Sequence, residues 1–371
     1  MKKSTVKLQF NPELSINADG KHVRDGLSTI LRTGDYLWVS CDERCSLERL
    51  KKIDENTFGE HHSFDLSQFL KLPAGTENEI DIEGIALEEH YLWLVGSHSL
   101  ARRKPKKSQE PDEQIKRLAK LKTDQNRYLL ARIPLNRNKE TGEISLVKHV
   151  THPYEPNFML SAAQLAGNHA GTNQLLEALT NDIHVQDFLK IPGKDNGFDI
   201  EGLAIHGDRV FIGLRGPVLR GWAIILEVAV QDTDDSYFFE LKPIGLKGEL
   251  YIKHFLHLEG MGIRELDIAG DDLLILAGPS MDLDGTIALY RWPQALRQTG
   301  QSITHRNDLE QLFEVPNGTG PTSGQDKAEG ITLFDKHHAI IVFDSPTDER
   351  KLNTDAVMAD LFKIGVNSVK I

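Results

Sequence analysis

The chain has 371 residues, 39% of them hydrophobic and 26% charged, which suits either two ordinary domains or one large repeat architecture. A net charge of -12 argues against general binding to a phosphate backbone, and only two cysteines, Cys41 and Cys45, leave no disulfide framework. No apolar stretch approaches the roughly 20 residues of a membrane span, and the alternating Val6-Lys7-Leu8-Gln9-Phe10 follows the start without an apolar signal core. A cytoplasmic protein with no membrane or nucleic-acid partner is expected.

In chain order, Leu27-Ser28-Thr29-Ile30 and Tyr36-Leu37-Trp38-Val39-Ser40 form the first of a series of hairpins, two short apolar runs around a tight polar turn. Cys41 and Cys45 supply only half a zinc ligand set. The phrase Asp81-Ile82-Glu83-Gly84-Ile85-Ala86 then opens a second hairpin with Tyr91-Leu92-Trp93-Leu94-Val95-Gly96. It recurs as Asp199-Ile200-Glu201-Gly202-Leu203-Ala204 before Arg209-Val210-Phe211-Ile212-Gly213, with shorter echoes at Glu259-Gly260 and Glu329-Gly330. Each echo also precedes an apolar run, Asp272-Leu273-Leu274-Ile275-Leu276 and Ala339-Ile340-Ile341-Val342-Phe343. A repeated phrase means a repeated structural unit.

The units begin near residues 27, 83, 201, 263 and 329. The interval from 83 to 201 is twice the others, so either a degenerate sixth blade lies within 135–195 or that unit carries insertions; insertion is the preferred reading. Two are visible: a basic one at 101–127 and a helical one at 158–189. In the latter, Ser161-Ala162-Ala163-Gln164 resembles a capping box, and Leu175, Leu176, Leu179 and Ile183 fit one helix face. Later strands complete each unit: 128–134 and 144–150 in the second, 222–230 and 237–241 in the third, 287–292 and 311–315 in the fourth. Four antiparallel strands repeated around a ring specify an all-β fold, a β-propeller of about five, or six, blades in a single domain spanning 1–371. The last unit, ending in Asp360-Leu361-Phe362-Lys363-Ile364, lacks an outer strand, and Val6 to Phe10 would supply it and close the ring.

In such a ring the innermost strands line a central channel. Asp81, Glu83, Asp199, Glu201, Glu259 and Glu329 would therefore converge on the axis. Clustered carboxylates need neutralising, by protonation, by basic partners or by a cation. Oxygen ligands from different blades suit Ca²⁺; Arg215, Arg220, Arg264 and Lys327 are the basic alternatives. The same face should receive the ends of the second strands, including Asp42-Glu43, Ser97-His98, Asp282 and Asp344, and the run Arg102-Arg103-Lys104-Pro105-Lys106-Lys107 would rim this mouth. Arg215, Arg220, Arg264, Asp282 and Asp344 are thus the candidate ligand-binding side chains. No nucleophile elbow, phosphate loop or zinc-protease motif is present. His98 and His206 are available as bases, though His206 reads as a hairpin-turn residue and Ser97 and His98, as strand neighbours, should point oppositely.

The phrases Gly213-Leu214-Arg215-Gly216-Pro217-Val218-Leu219-Arg220-Gly221-Trp222-Ala223, Gly262-Ile263-Arg264-Glu265-Leu266 and Leu276-Ala277-Gly278-Pro279 resemble a bacterial family catalogued as domain of unknown function 3616. The Asp-x-Glu-Gly phrases more remotely resemble those of calcium-dependent phytase-like and esterase-like propellers, a likeness that does not itself establish an activity. Two functions stay open. One is binding of a small ligand or divalent cation at an acidic axial site, extending to a Ca²⁺-dependent hydrolase of phosphoesters or esters. The other is a non-catalytic propeller that binds a protein or small anionic partner around a structural carboxylate and arginine network.

Overall fold

The computed structural model of the chain describes residues 4–17, 20–76, 78–167, 171–245, 247–317 and 324–365. The phrases at 81–86, 199–204 and 329–330 lie at the start of the innermost strand of an antiparallel sheet, whereas Glu259-Gly260 precedes its strand. Unit one consists of Leu27–Thr33, Tyr36–Cys41, Ser46–Asp54 and Thr57–Asp65. In unit two, Ile82–Glu88, Tyr91–Gly96 and Leu130–Arg137 are followed by an edge shared between Ile144–Leu146 and Ala163–Leu165. Unit three has Asp199–His206, Arg209–Gly216 and the long Trp222–Asp232, whose two ends pair with different strands, Tyr251–His257 and Phe238–Lys242. Unit four is Gly262–Ala269, Asp272–Gly278, Ile287–Trp292 and Glu310–Val315.

Unit five closes the ring. Lys327–Asp335, His338–Asp344 and Ala356–Lys363 are completed by the N-terminal strand Ser4–Gln9, antiparallel to Ala356–Lys363 with Ser4 opposite Leu361 and Gln9 opposite Ala356. The inner strands of the five units touch one another in cyclic order, the fifth returning to the first. This is the propeller-like all-β arrangement that the repeated phrases predict.

The packing explains why the strands read as unbroken apolar runs rather than alternating ones. Each sheet is covered on both faces by its neighbours, so both sets of side chains are buried. Leu273, Leu274, Ile275 and Leu276 are all fully buried; Leu273 and Ile275 face unit three, while Leu274 and Leu276 face unit five. One apolar cluster fills each junction: Trp38 and Leu47 against Ile82 and Leu94, Trp93 and Val95 against Leu203 and Ile212, and so on around the ring. Val6 and Leu8 of the N-terminal strand, with Phe10 just after it, join the junction between units five and one.

The long interval between units two and three is occupied by added segments. In the basic insertion, Ala101–Arg102 pairs with Leu121–Lys122 around the helix Pro111–Leu118, none of whose side chains is buried. In the other insertion the helix is confined to Gln174–Leu179 and is capped by Asn173, whose Oδ1 accepts from Leu176 N at 3.1 Å. The expected capping box is therefore corrected: Met159–Ser161 and Ala163–Leu165 are strands, paired with His149–Thr151 and Leu130–Arg137. Leu175 and Leu179 do form a buried face, but Ile183 lies beyond the helix and is 80% exposed. Among the described residues, no helix is long and apolar enough to cross a membrane.

Candidate functional site

The inner strand of every unit carries a register irregularity near its start, and the side chain at that point belongs to the axis. Pairing skips Ser28, Glu83, Glu201, Arg264 and Glu329 in units one to five respectively. A β-bulge re-aims one side chain out of the ladder. Here it gathers a ring of one serine, three glutamates and one arginine.

Glu259 does not join this ring, contrary to the expectation from its Glu-Gly echo. It precedes the fourth inner strand, its side chain is 52% exposed, and it pairs outward with Arg306 at 3.1 Å and Tyr290 Oη at 3.2 Å. The unit-four equivalent is Arg264. Arg220 is likewise displaced: it sits exposed in a turn, outside the axial chamber.

Three members of the bulge ring, Glu83, Glu201 and Glu329, line a chamber of about 390 Å³. Its wall includes Asp42, Asp81, Glu83, Asp199, Glu201, Arg215, Asp282, Glu329 and Asp344, so most of the candidate side chains do come together. The basic insertion contributes Arg102, Arg103 and Lys104 at the mouth, as its place in the chain predicts. Carboxylates outnumber cations in the lining, eleven to six.

Three buried arginines divide the acids among themselves. Arg215 Nη1 lies 2.7 Å from Glu201 Oε1 and 3.6 Å from Asp199 Oδ2. Arg264 Nη1 lies 2.6 Å from Glu329 Oε1 and 3.7 Å from Glu201 Oε2. Arg127, from the short 3-10 turn Gln125–Tyr128, reaches Asp81 at 2.8 Å and Glu79 at 2.6 Å. Close backbone packing sets these positions. A Cβ on Gly262 would fall 1.9 Å from the Arg215 carbonyl oxygen, so the fourth inner strand approaches Arg215 only because that position is glycine.

The neutralisation is incomplete. Glu83 has no hydrogen bond or ion pair among the described residues. Its carboxyl is reachable from the chamber yet enclosed by protein. Burial first, then the charges of Asp81, Glu201, Glu329 and Asp199, push it well above the usual carboxylate range. Burial also lifts Asp42 to about 7, helped by Asp81 and Asp344, and Glu329 to about 8, helped by Asp344 and opposed by Arg264. Asp199 rises to about 7 through burial, against the pull of Arg215. Glu201 Oε2 is buried and has no hydrogen-bond partner. Lys194 stands exposed over the chamber: burial and Arg215 oppose its charge, but Glu329, Glu83 and Glu201 outweigh them and raise its pKa.

The residue after the bulge is glycine in three units, Gly84, Gly202 and Gly330, where a Cβ would meet Leu203, Leu266 or Ile30 of the next inner strand at 2.8–2.9 Å, and Thr29 and Glu265 in the other two. Glu265 is 1% exposed and accepts from Thr29 Oγ1 and from Leu266 N at 3.1 Å. Beyond it, the opposite mouth is a separate, mainly apolar cavity of about 500 Å³ between the inner strands.

Among the described residues, no three His, Cys, Asp or Glu side chains converge as metal ligands, because arginines stand between the carboxylates. Neither candidate histidine, His98 or His206, lines the chamber. His98 is buried, with one ring nitrogen on the Gly96 carbonyl at 2.8 Å and the other on Asn173 Nδ2 at 2.8 Å, and burial lowers its pKa to about 4. His206 is exposed at a hairpin turn. Asp282 lines the mouth and pairs with Lys327 at 3.1 Å. Sequence reading missed Arg127, Glu79 and Lys194 because they stand in connecting segments outside the repeated phrase.

The chain is similar to the PQQ-bound aldose sugar dehydrogenase of Streptomyces coelicolor, with 12% identity over 92% of this chain and 97% of that one and a TM-score of 0.36. It is also similar to the allergen Mala s 1 of Malassezia sympodialis, with 9% identity over 92% of this chain and 93% of that one and a TM-score of 0.34. No curated protein matches the sequence. The family described as Protein of unknown function (DUF3616) matches residues 26–360, and the chain belongs to that family.

Proposed function

We propose that the axial chamber is a small-ligand binding site that takes positive charge at its floor and negative charge at its basic rim. The observation that carries this reading is Glu83, an enclosed carboxyl without a partner in a chamber where acids already outnumber cations. An uncompensated charge in such a place is costly, and a cation that binds there removes the cost. Arg127 and Arg215 in the wall, with Arg264 behind Glu329 and Glu201, form the frame, and Arg102, Arg103 and Lys104 give the entrance an affinity for phosphate or carboxylate groups.

Binding is the function supported best. A Ca²⁺-dependent hydrolase would need a held cation and a base, and among the described residues no three ligating groups converge. No hydrolytic step is therefore assigned. The test is thermal unfolding of chelator-stripped protein at pH 8 with millimolar Ca²⁺, Mg²⁺, Mn²⁺ or phosphoethanolamine. A saturable rise in melting temperature with one of them, lost in Glu83→Gln, supports a ligand site. Absence of any rise favours a purely structural network.

A further inference from the structure

We propose that the ligand's positive group is a guanidinium, which takes at Glu83 the place that arginine side chains take at the other acids. This rests on the chamber being a ligand site, and it names the class of ligand.

Three features lead to it. First, the paired acids deep in the chamber are served by guanidinium groups, Arg127 for Asp81 and Glu79, Arg215 for Glu201 and Asp199, and Arg264 for Glu329, whereas lysines pair with the exposed Glu43 and Asp282 at the mouth and, alongside Arg127, with Glu79. Arg127 divides its two Nη nitrogens between Asp81 and Glu79, and Arg264 places Nη1 on Glu329 and Nη2 on the Pro279 carbonyl, while Arg215 acts through Nη1 alone; two of the three thus use the several donors of a planar cation. Second, the acids are too dispersed for a metal, since no three ligating groups converge among the described residues. Third, the ring of bulges contains one unserved corner. Ser28 donates to the Ile82 carbonyl at 2.6 Å, Glu201 and Glu329 are paired, and Arg264 is itself a cation. Only Glu83 lacks a partner, with the buried Glu201 Oε2 also without a hydrogen bond.

The chamber is large enough for a small molecule and not for a folded segment. Lys194 stands over this corner without an ion pair within 4 Å. It competes with a bound cation, whereas an anionic ligand would rely on it. The carboxylate or phosphate of a guanidino compound would meet the rim at Arg103 and Lys104.

The experiment is isothermal titration of the full chain at pH 8 with agmatine, L-arginine, putrescine and Ca²⁺. Agmatine and L-arginine should bind one to one, with putrescine at least tenfold weaker. Glu83→Gln should weaken agmatine at least tenfold while melting no lower than wild type, and Lys194→Met should leave agmatine affinity unchanged or raise it. Asp344→Asn, on the same wall, provides a second variant should Glu83→Gln fold poorly, and should also weaken agmatine. Equal affinity for putrescine, agmatine binding indifferent to both acid variants, or weakening by Lys194→Met would each overturn the guanidinium assignment. Binding of Ca²⁺ alone would overturn it while leaving the ligand chamber standing. Binding of none of the four would overturn both.

Discussion

Replacing Arg215 by methionine removes the cation nearest to two buried acids while keeping an apolar stem of similar length. The side chains of Arg215, Glu201 and Asp199 are 6%, 4% and 6% exposed, so water cannot take over the role of the guanidinium. Breaking a buried ion pair from one side costs about 3–5 kcal/mol, because the remaining charge stays buried. The chain can escape by protonating the stranded carboxyl. That costs about 1.36 kcal/mol for each pH unit above an unfolded-state pKa near 4, hence roughly 3 kcal/mol at pH 6 and about 5 kcal/mol at pH 8 for one group. The loss in Arg215→Met should therefore grow by about 2–3 kcal/mol between pH 6 and pH 8. Urea unfolding at the two pH values measures it, and Glu201→Gln in the same background should recover part of the loss at pH 8. A cost below about 1 kcal/mol at both pH values, or one independent of pH, would refute the reasoning that these acids depend on Arg215.

Other outcomes follow from the same physics. Asp42, Asp199 and Glu329 are raised, so the native state binds more protons than the unfolded chain between about pH 4 and pH 8; their stabilisation is present at the acidic end and is lost as pH rises through 7 to 8. The ligand-free protein should accordingly melt higher at pH 6 than at pH 8, and Glu83→Gln should narrow that gap in a calorimetric pH series. Leu8→Ala, in the strand that closes the ring, should cost about 2–5 kcal/mol in denaturant unfolding, as a fully buried leucine does. Gly262→Ala should destabilise the fold and disturb the chamber together, because its Cβ meets the Arg215 carbonyl. Replacing 104–119 by a short Gly-Ser linker should leave the melting temperature nearly unchanged, since the helix Pro111–Leu118 buries nothing, while weakening binding of any anionic ligand.

The fold was legible because its units repeat an apolar hairpin after a fixed phrase, and because Val6, Leu8 and Phe10 alternate as an edge strand should. The site was legible at Asp81, Glu83, Asp199, Glu201 and Glu329, where phrase and register agree. In unit four they part. The visible Glu-Gly at 259–260 lies outside the strand, and the bulge falls on Arg264, which a reading by motif alone places beside the ring rather than in it. Alignment by the following apolar run, Leu273 to Leu276, rather than by the acidic pair would have found it. Arg127 and Lys194 come from insertions and loops, whose approach to the axis is set by tertiary packing and leaves no periodic mark. The charge balance of the chamber was therefore only half visible.

A crystal structure of the protein grown at pH 8 with agmatine would decide what Glu83 faces. Density for the guanidinium within hydrogen-bond distance of the Glu83 carboxylate, with Arg127, Arg215 and Arg264 holding their present partners, is the predicted result. An empty chamber with Glu83 in a direct ion pair with Lys194 would show that the acids are neutralised from within, and would contradict a ligand site on this axis.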